Sequence, residues 1–431
     1  MKILAIDPPG NSLDWLLRCK RAGHEVKLFT KPECQVGKGL IDKVKDWKLW
    51  MRWADLIFLT DNVLYLHQLE SYRQYGYPIF GPTLEAARLE LDRETGQDVF
   101  KRHGIDIMPY KTFTNYDKAM AHVDKERKRF VSKPSGDADK ALSYVSKSPR
   151  DMISMLDRWK KLGKCRAPFI LQEFVSGIEM AVGGWFGPGG FSKHINENWE
   201  FKKHLNGDLG VNTGEQGTVM RYVERSRLFN LALKPVEKLL HKLKYVGYVD
   251  VAVMIDEDGE VKPLEFTCRP GWPHFQIVQS LHKGDPANWM YDLLHGQDTL
   301  DVLDDIAVGV VLTVPQFPYK GPPIAELENI PVWCDPKNKA IHPCEIKGGL
   351  VWDEIEGKIV RVPGWTLAGN YVAVVTATGP SVSSACRRVY RTIKEDIHVP
   401  NSLGYRTDIG ARLKKQLPEF QEHGFALDME Y

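Results

Sequence analysis

VDVAVMIDEDGEVKPLEFTCR, residues 249–269, places two carboxylates, Asp250 and Glu265, in runs that otherwise hold strand-forming residues. VDVAVMID and EVKPLEF flank Glu257-Asp258-Gly259, which is turn chemistry, so the stretch reads as a β-hairpin. A turn centred between Glu257 and Asp258 makes Asp250 and Glu265 direct cross-strand neighbours, with Thr267 on the same face. Like charges placed opposite each other repel, and a cation between them removes the cost. An oxygen-only donor set favours Mg²⁺ over zinc, with Mn²⁺ as an alternative. The competing reading is an exposed acidic hairpin slipped by one residue, which sends the carboxylates to opposite faces.

Composition sets the frame around this hairpin. The chain has 431 residues, enough for two to four domains, and a formal net charge of +2, which gives no global field for nucleic acid. Its seven cysteines form no CxxC pair, so neither a disulfide framework nor a zinc site is indicated. MKILAID enters a strand directly, without a signal-like apolar segment, and no apolar run approaches 18 residues. A cytoplasmic protein with no membrane span is expected.

KILAI (2–6), SLDWLLRCKRAG (12–23), HEVKLF (24–29) and DLIFLT (55–60) alternate strand and helix signals, a parallel βαβ opening. RFVSKP (129–134) starts a second unit with a helix near 149–162 and the strand FILQEFV (169–175). The Pro- and Gly-rich QFPYKGPP marks a linker at 317–323 into a last unit, which holds the strand YVAVVTATG (371–379) and a helix from Ser381 to about Asp396.

In order along the chain come a lysine strand, a small-residue loop PSGDADKA, an acidic strand end QEFVSGIEM and the carboxylate hairpin. With FGPTLEAARLE (80–90), KRHGI (101–105), KKHLNGDLGVNTG (202–214), LEFTCR (264–269), VTATG (375–379) and YRTDIG (405–410), this resembles the ATP-grasp superfamily and, within it, the phosphoribosylamine–glycine ligase family. The resemblance runs nearly end to end. It implies an α/β ATP-grasp fold: an N-terminal βαβ domain at 1–95, an ATP-grasp core at 96–316 with a lid at about 112–176, and a C-terminal α/β domain at 317–431.

The resemblance also implies roles. Lys133 would reach the adenine and α-phosphate, with Arg93 replacing a family lysine nearby; the loop from Ser135 through Gly136 to Lys140 would cover the phosphates, although Asp137 and Asp139 make it acidic. Glu173 and Val175 would hold the adenine edge, and Glu179 the ribose hydroxyls. Lys202 and Arg269 would act in catalysis, Asn212, Thr213 and Gly214 would face substrate, and Asp250, Glu265 and Thr267 would ligate Mg²⁺. The implied cofactors are ATP and Mg²⁺, in a monomer or homodimer acting on small molecules.

Departures from the family gather on the acceptor side. A Gly-Gly-Arg-Glu turn is replaced by Asp7-Pro8-Pro9-Gly10-Asn11-Ser12, leaving Gly10 and Asn11 as substrate candidates. The third metal ligand, an asparagine, is Thr267; Gly-Asp-Pro-Glu becomes Gly271-Trp272-Pro273-His274; an arginine becomes Tyr371. Helix-terminal glycine turns hold phosphates, and prolines remove donors there. Three readings stay open: a ligase joining glycine to phosphoribosylamine; the same chemistry with a different amine, such as a modified nucleotide or base stacked on Trp272 or Tyr371; and a catalytically silent ATP-binding protein.

Overall fold

The computed structural model describes residues 1–135, 142–164, 168–319, 321 and 324–431. The chain opens with a five-stranded parallel sheet ordered Asp42–Val44, Glu25–Phe29, Lys2–Ile6, Leu56–Leu59, Ile79–Phe80. Its strands are apolar on both faces. Ile3, Ala5, Leu56 and Phe58 enter one core, while Leu4, Ile6, Ile57 and Leu59 enter another. Continuous apolar runs such as LIFL thus encode a sheet covered on both sides.

Residues 110–173 contain a separate antiparallel sheet ordered Tyr110–Phe113, Phe169–Glu173, Phe130–Pro134, Tyr144–Val145. Helices Tyr116–Glu126 and Pro149–Lys161 pack against each other beside it. Ser148 caps the second helix through the Asp151 amide and Pro149 starts its first turn, a strong local start signal. Phe113, Val123, Phe130, Met152, Leu156 and Trp159 give this unit its own core.

An eight-stranded antiparallel sheet forms the centre, ordered Val261–Thr267, Gly247–Ile255, Ile178–Gly187, Gly190–Glu200, Gly217–Val223, Ile306–Thr313, Tyr371–Gly379, Ile341–Pro343. Its last two strands come from beyond residue 317, so the sheet continues across the expected linker. Helix Val382–Glu395 packs on the strands Ile306–Thr313 and Tyr371–Gly379. A last antiparallel sheet joins Ile346–Ile355, Lys358–Leu367, Pro331–Cys334 and Ile397–His398. Among the described residues no helix is long and apolar enough to cross a membrane.

The register of the carboxylate hairpin differs from the sequence expectation. Its loop is Asp256–Glu260, with the Asp256 side chain accepting from the amides of Asp258 and Glu260. Ile255 pairs with Val261 and Val253 with Pro263, a register that on its own would split the two carboxylates between faces. A bulge at Leu264 then shifts the pairing, so that Ala252 faces Glu265 and Asp250 faces Thr267. Asp250 and Glu265 are therefore diagonal rather than directly opposed, and they share a face. Pro263 supplies the physical reason, since a residue without an N–H weakens the ladder where the bulge forms.

Candidate active site

The bulge also frees a carbonyl. Leu264 O accepts from Lys133 Nζ at 3.3 Å and from Gln97 Nε2 at 3.1 Å, tying the small sheet and helix Arg93–Arg102 to the hairpin. Lys133 Nζ also donates to Gln172 Oε1 at 2.9 Å. Desolvation brings the Lys133 ammonium down to about 8, a shift that Glu265 partly opposes.

Asp250, Glu265 and Thr267 line a cavity of about 200 Å³. Arg93, at the start of its helix, makes an ion pair with Glu265. Asp250 is buried and accepts from Asn198 Nδ2 at 3.1 Å and Tyr248 OH at 3.3 Å. Behind it, Tyr248 OH and Asn196 Oδ1 each lie 2.9 Å from His274 Nε2. Burial, then Glu200, pushes the Asp250 carboxyl up to about 8, against the pull of Asn198, Lys202 and Tyr248.

Lys202 sits among acids, 2.6 Å from Glu179 and 3.0 Å from Glu200. Desolvation alone would lower its ammonium; Glu179, Glu200 and Glu265 hold it well above its ordinary value. The same contact keeps Glu179 ionised, with Lys202 outweighing desolvation. Nearby, Glu215 is buried and its Oε1 has no hydrogen-bond partner among the described residues; burial, then Glu200, raises it well above the carboxylate range.

A divalent cation fits this face. Asp250, Glu265 and the Thr267 hydroxyl are hard oxygen donors, and the unpartnered Glu215 oxygen lies on the same cavity. Among the described residues no three His, Cys, Asp or Glu side chains form a ready-made metal cage. Such sparse sites suit Mg²⁺, which keeps waters and substrate phosphates as ligands.

Arg269 is held by Glu90 at 3.0 Å, and the other Glu90 oxygen accepts the Cys268 amide at 2.9 Å. The Glu90 charge raises the Arg269 guanidinium above its usual value. Thr213 is locked to Lys202 O through both its amide, 2.9 Å, and its hydroxyl, 2.8 Å. Asn212 Nδ2 donates to Ser143 O at 3.1 Å, bridging to the small sheet, and Gly214 borders the same cavity. Glu173 ends the strand Phe169–Glu173 in an ion pair with Lys128 at 2.8 Å, while Val175 lies half-buried in the connection to the central sheet. Ser135 donates its amide to Pro168 O at 2.9 Å. Gly136, Asp137, Asp139 and Lys140 lie outside the described residues.

The first turn is arranged differently from a phosphate cradle. Asp7 is fully buried, and its carboxylate accepts from the amides of Gly10 at 3.0 Å and Ser12 at 2.5 Å. The hydroxyls of Ser12, 2.6 Å, and Thr60, 2.7 Å, complete its shell. The donors ahead of helix Leu13–Arg21 are thus taken by a carboxylate of the chain itself. Gly10 is required here, because its φ is +88° and a Cβ would stand 2.8 Å from Val36. Asn11 presents its carbonyl to Gln276 at 2.8 Å. Trp272 lines the cavity; Tyr371 stands against it, ring centroids 4.3 Å apart, with Phe317 behind at 5.1 Å.

Sequence reasoning missed the residues that hold the others in place: Gln97, Gln172, Glu90, Asn196, Asn198, Tyr248 and Asp7. Asn196 and Asn198 carried a signal, as alternate polar residues on one face of a strand whose neighbours are buried. Asp7, next to two prolines at a strand end, was a second. Glu90 carried none.

Residues 92–274 match the family model for phosphoribosylglycinamide synthetase, ATP-grasp (A) domain. The chain is 28% identical over 360 residues to the phosphoribosylamine–glycine ligase of Ralstonia nicotianae, covering 80% of this chain and 81% of that protein. The Xanthomonas axonopodis pv. citri enzyme of the same name is 27% identical over 445 residues, covering 96% and 98%. The crystal structure of the Thermotoga maritima phosphoribosylamine–glycine ligase has the same fold, with a TM-score of 0.71 at 20% identity over 95% of this chain and 100% of that one. Over most of its length the chain is therefore similar to phosphoribosylamine–glycine ligases, and residues 92–274 match an ATP-grasp domain model.

Proposed function

We propose that this protein is an ATP-dependent carboxylate–amine ligase that activates a small amino acid, glycine first among them, and passes it to an amine. A carboxylate is a poor electrophile, so ATP phosphorylates it; the amine then attacks the acyl phosphate, giving amide, ADP and phosphate. The observation that carries this reading is the convergence of Arg93, Lys202, Asp250, Glu265, Thr267 and Arg269 on one cavity under the Lys133 strand. Fixed cations beside fixed carboxylates suit phosphoryl transfer, which depends on positioning and charge neutralisation. Mg²⁺ held by Asp250, Glu265 and Thr267 would neutralise charge on the moving phosphoryl group. Lys133 would bind ATP beside the edge formed by Glu173 and Val175. Lys202 would have to give up Glu179 before that carboxylate takes the ribose. Arg269, oriented by Glu90, would hold the amino-acid carboxylate against Asn212, Thr213 and Gly214. Such a reaction belongs in an ATP-rich cytoplasm.

A specific observation favours a second reading for the amine. With the Gly10 and Ser12 amides occupied by Asp7, the first turn offers no free cradle to a phosphate. The acceptor would then be recognised at Trp272, by an aromatic or base-like group. An ADP-release assay with glycine and a panel of amines separates the two readings. Efficient turnover of phosphoribosylamine supports the first. Turnover confined to ring-bearing amines supports the second. No glycine-dependent ADP release with any amine refutes both.

A further inference from the structure

A larger cavity, about 600 Å³, lies away from the proposed catalytic cleft, between helix Leu13–Arg21, the segment 275–289 and the end of strand Tyr371–Gly379. Thr378 lines it, whereas Tyr371 stands behind Trp272 at the other end of that strand. Among the described residues the two cavities share no lining residue. The volume lies within the range of small-ligand sites, roughly 300–1,000 Å³.

Its chemistry is one-sided. Arg18, Arg21, Lys283, Lys337 and Lys339 line it, with no carboxylate among the described lining residues. On a chain of net charge +2 that is a local concentration of positive charge. Arg18 and Lys283 have partners at its margin, Asp14 at 2.9 Å and Asp301 at 3.2 Å. Arg21 donates to the Pro336 carbonyl at 3.2 Å, and Lys337 and Lys339 meet no carboxylate among the described residues. Desolvation, then the Arg18 charge, lowers the Arg21 guanidinium below its usual value, a strain an anion would relieve. The floor is aromatic, built from Trp15, Phe275 and Trp289. Two floor residues each leave a polar atom without a partner, an acceptor on Gln279 (Oε1, residue 9% exposed) and a donor on Trp289 (Nε1, residue 4% exposed).

We propose that this cavity is a second ligand site for a nucleoside phosphate, with the phosphate on the Arg21, Lys337 and Lys339 rim and the planar base on the aromatic floor. Arginine and lysine recognise phosphate by charge-assisted hydrogen bonds, and aromatic faces recognise a planar ring without regard to its sequence of atoms. The proposal is independent of the ligase reading.

The test is calorimetric titration of the full chain with AMP, adenosine and pyrophosphate, in which the variant at Lys337 and Lys339 separates binding in this cavity from binding anywhere else on the chain. AMP should bind saturably, at least tenfold more tightly than adenosine or pyrophosphate, and more weakly as salt rises. The doubly charge-reversed variant K337E/K339E, altered only at exposed positions, should keep its melting temperature and lose at least tenfold in AMP affinity. Absence of saturable AMP binding overturns the proposal, as does equal affinity in the variant. Adenosine or pyrophosphate binding as tightly as AMP overturns the assignment of the phosphate or the base, and with it the ligand class.

Discussion

The cavity and the first turn treat their charges in opposite ways. At the cavity, the proposed nucleotide site, Lys202, Arg93 and Lys133 are paired with half-buried groups, Glu179, Glu265 and a bulge carbonyl, that a bound substrate would have to displace. At the first turn, the donors ahead of the first helix are consumed by Asp7, a carboxylate fully buried and held by four hydrogen bonds. Exchangeable pairs leave a site ready for a ligand; saturated, buried ones make structure out of what could have been a site. The difference teaches that a helix terminus is a ligand site only while its amides remain unspent.

The largest effect should come from breaking the saturated turn. Asp7→Ala leaves the Ser12 amide and the hydroxyls of Ser12 and Thr60 without their carboxylate in a buried place, at about 1–3 kcal/mol for each group that finds no other partner, while the Gly10 amide keeps the Asp7 main-chain carbonyl at 3.0 Å. Denaturant unfolding should show a loss of several kcal/mol. Inorganic phosphate should recover part of that loss in the variant while leaving the native chain unchanged. A fully stable variant would show that Asp7 is not what fills the turn. On the other side, Lys133→Ala removes one charge-assisted contact and should weaken ATP binding by about 1.5–3 kcal/mol, or roughly 10- to 150-fold, by calorimetry.

The same lysine sharpens the comparison through pH. Its ammonium sits at about 8 in the folded chain against an ordinary 10.5, so the folded state holds fewer protons than the unfolded one between these values. Its charge is a cost to folding below about pH 8, and that cost fades as pH rises toward 10.5. ATP requires the charged form, so affinity should fall by up to tenfold per unit above about pH 8 in the native chain and stay flatter in Lys133→Ala. A profile identical in both would detach Lys133 from the nucleotide. The smallest effect lies in the aromatic pair. A double-mutant cycle on Trp272→Ala and Tyr371→Ala should give a coupling of about 0.5–1.5 kcal/mol in stability. Coupling near zero would mean that the two rings act separately.

Much of the architecture could be read from residues alone. KILAI and DLIFLT, alternating with helix signals, announced a parallel βαβ opening, and the lysine strand, acidic strand end and hairpin came in an order that pointed to the superfamily. Register could not be read. It depended on a five-residue loop held by the Asp256 side chain and on a bulge beside Pro263, and only the two together return Asp250 and Glu265 to one face. Pairings across long separations were equally hidden. Nothing near Arg269 announces Glu90, and nothing near Lys133 announces the Leu264 carbonyl, because those contacts exist only once distant segments have packed. Trp272 and Tyr371 were readable as aromatic, but that they face each other is a property of the fold.

The central sheet has a consequence for how the protein is made. Strand Ile306–Thr313 finds its outer neighbour only in Tyr371–Gly379, and Ile341–Pro343, although synthesised earlier, docks outside that later strand. A nascent chain therefore carries an unfinished edge, lined by Val308, Val310 and Val311, until translation has passed residue 379. An open apolar edge is a template for another chain. Premature termination after Thr313 but before Tyr371 would thus yield something worse than an inactive fragment: a sheet with an open edge that recruits its missing strand from its neighbours.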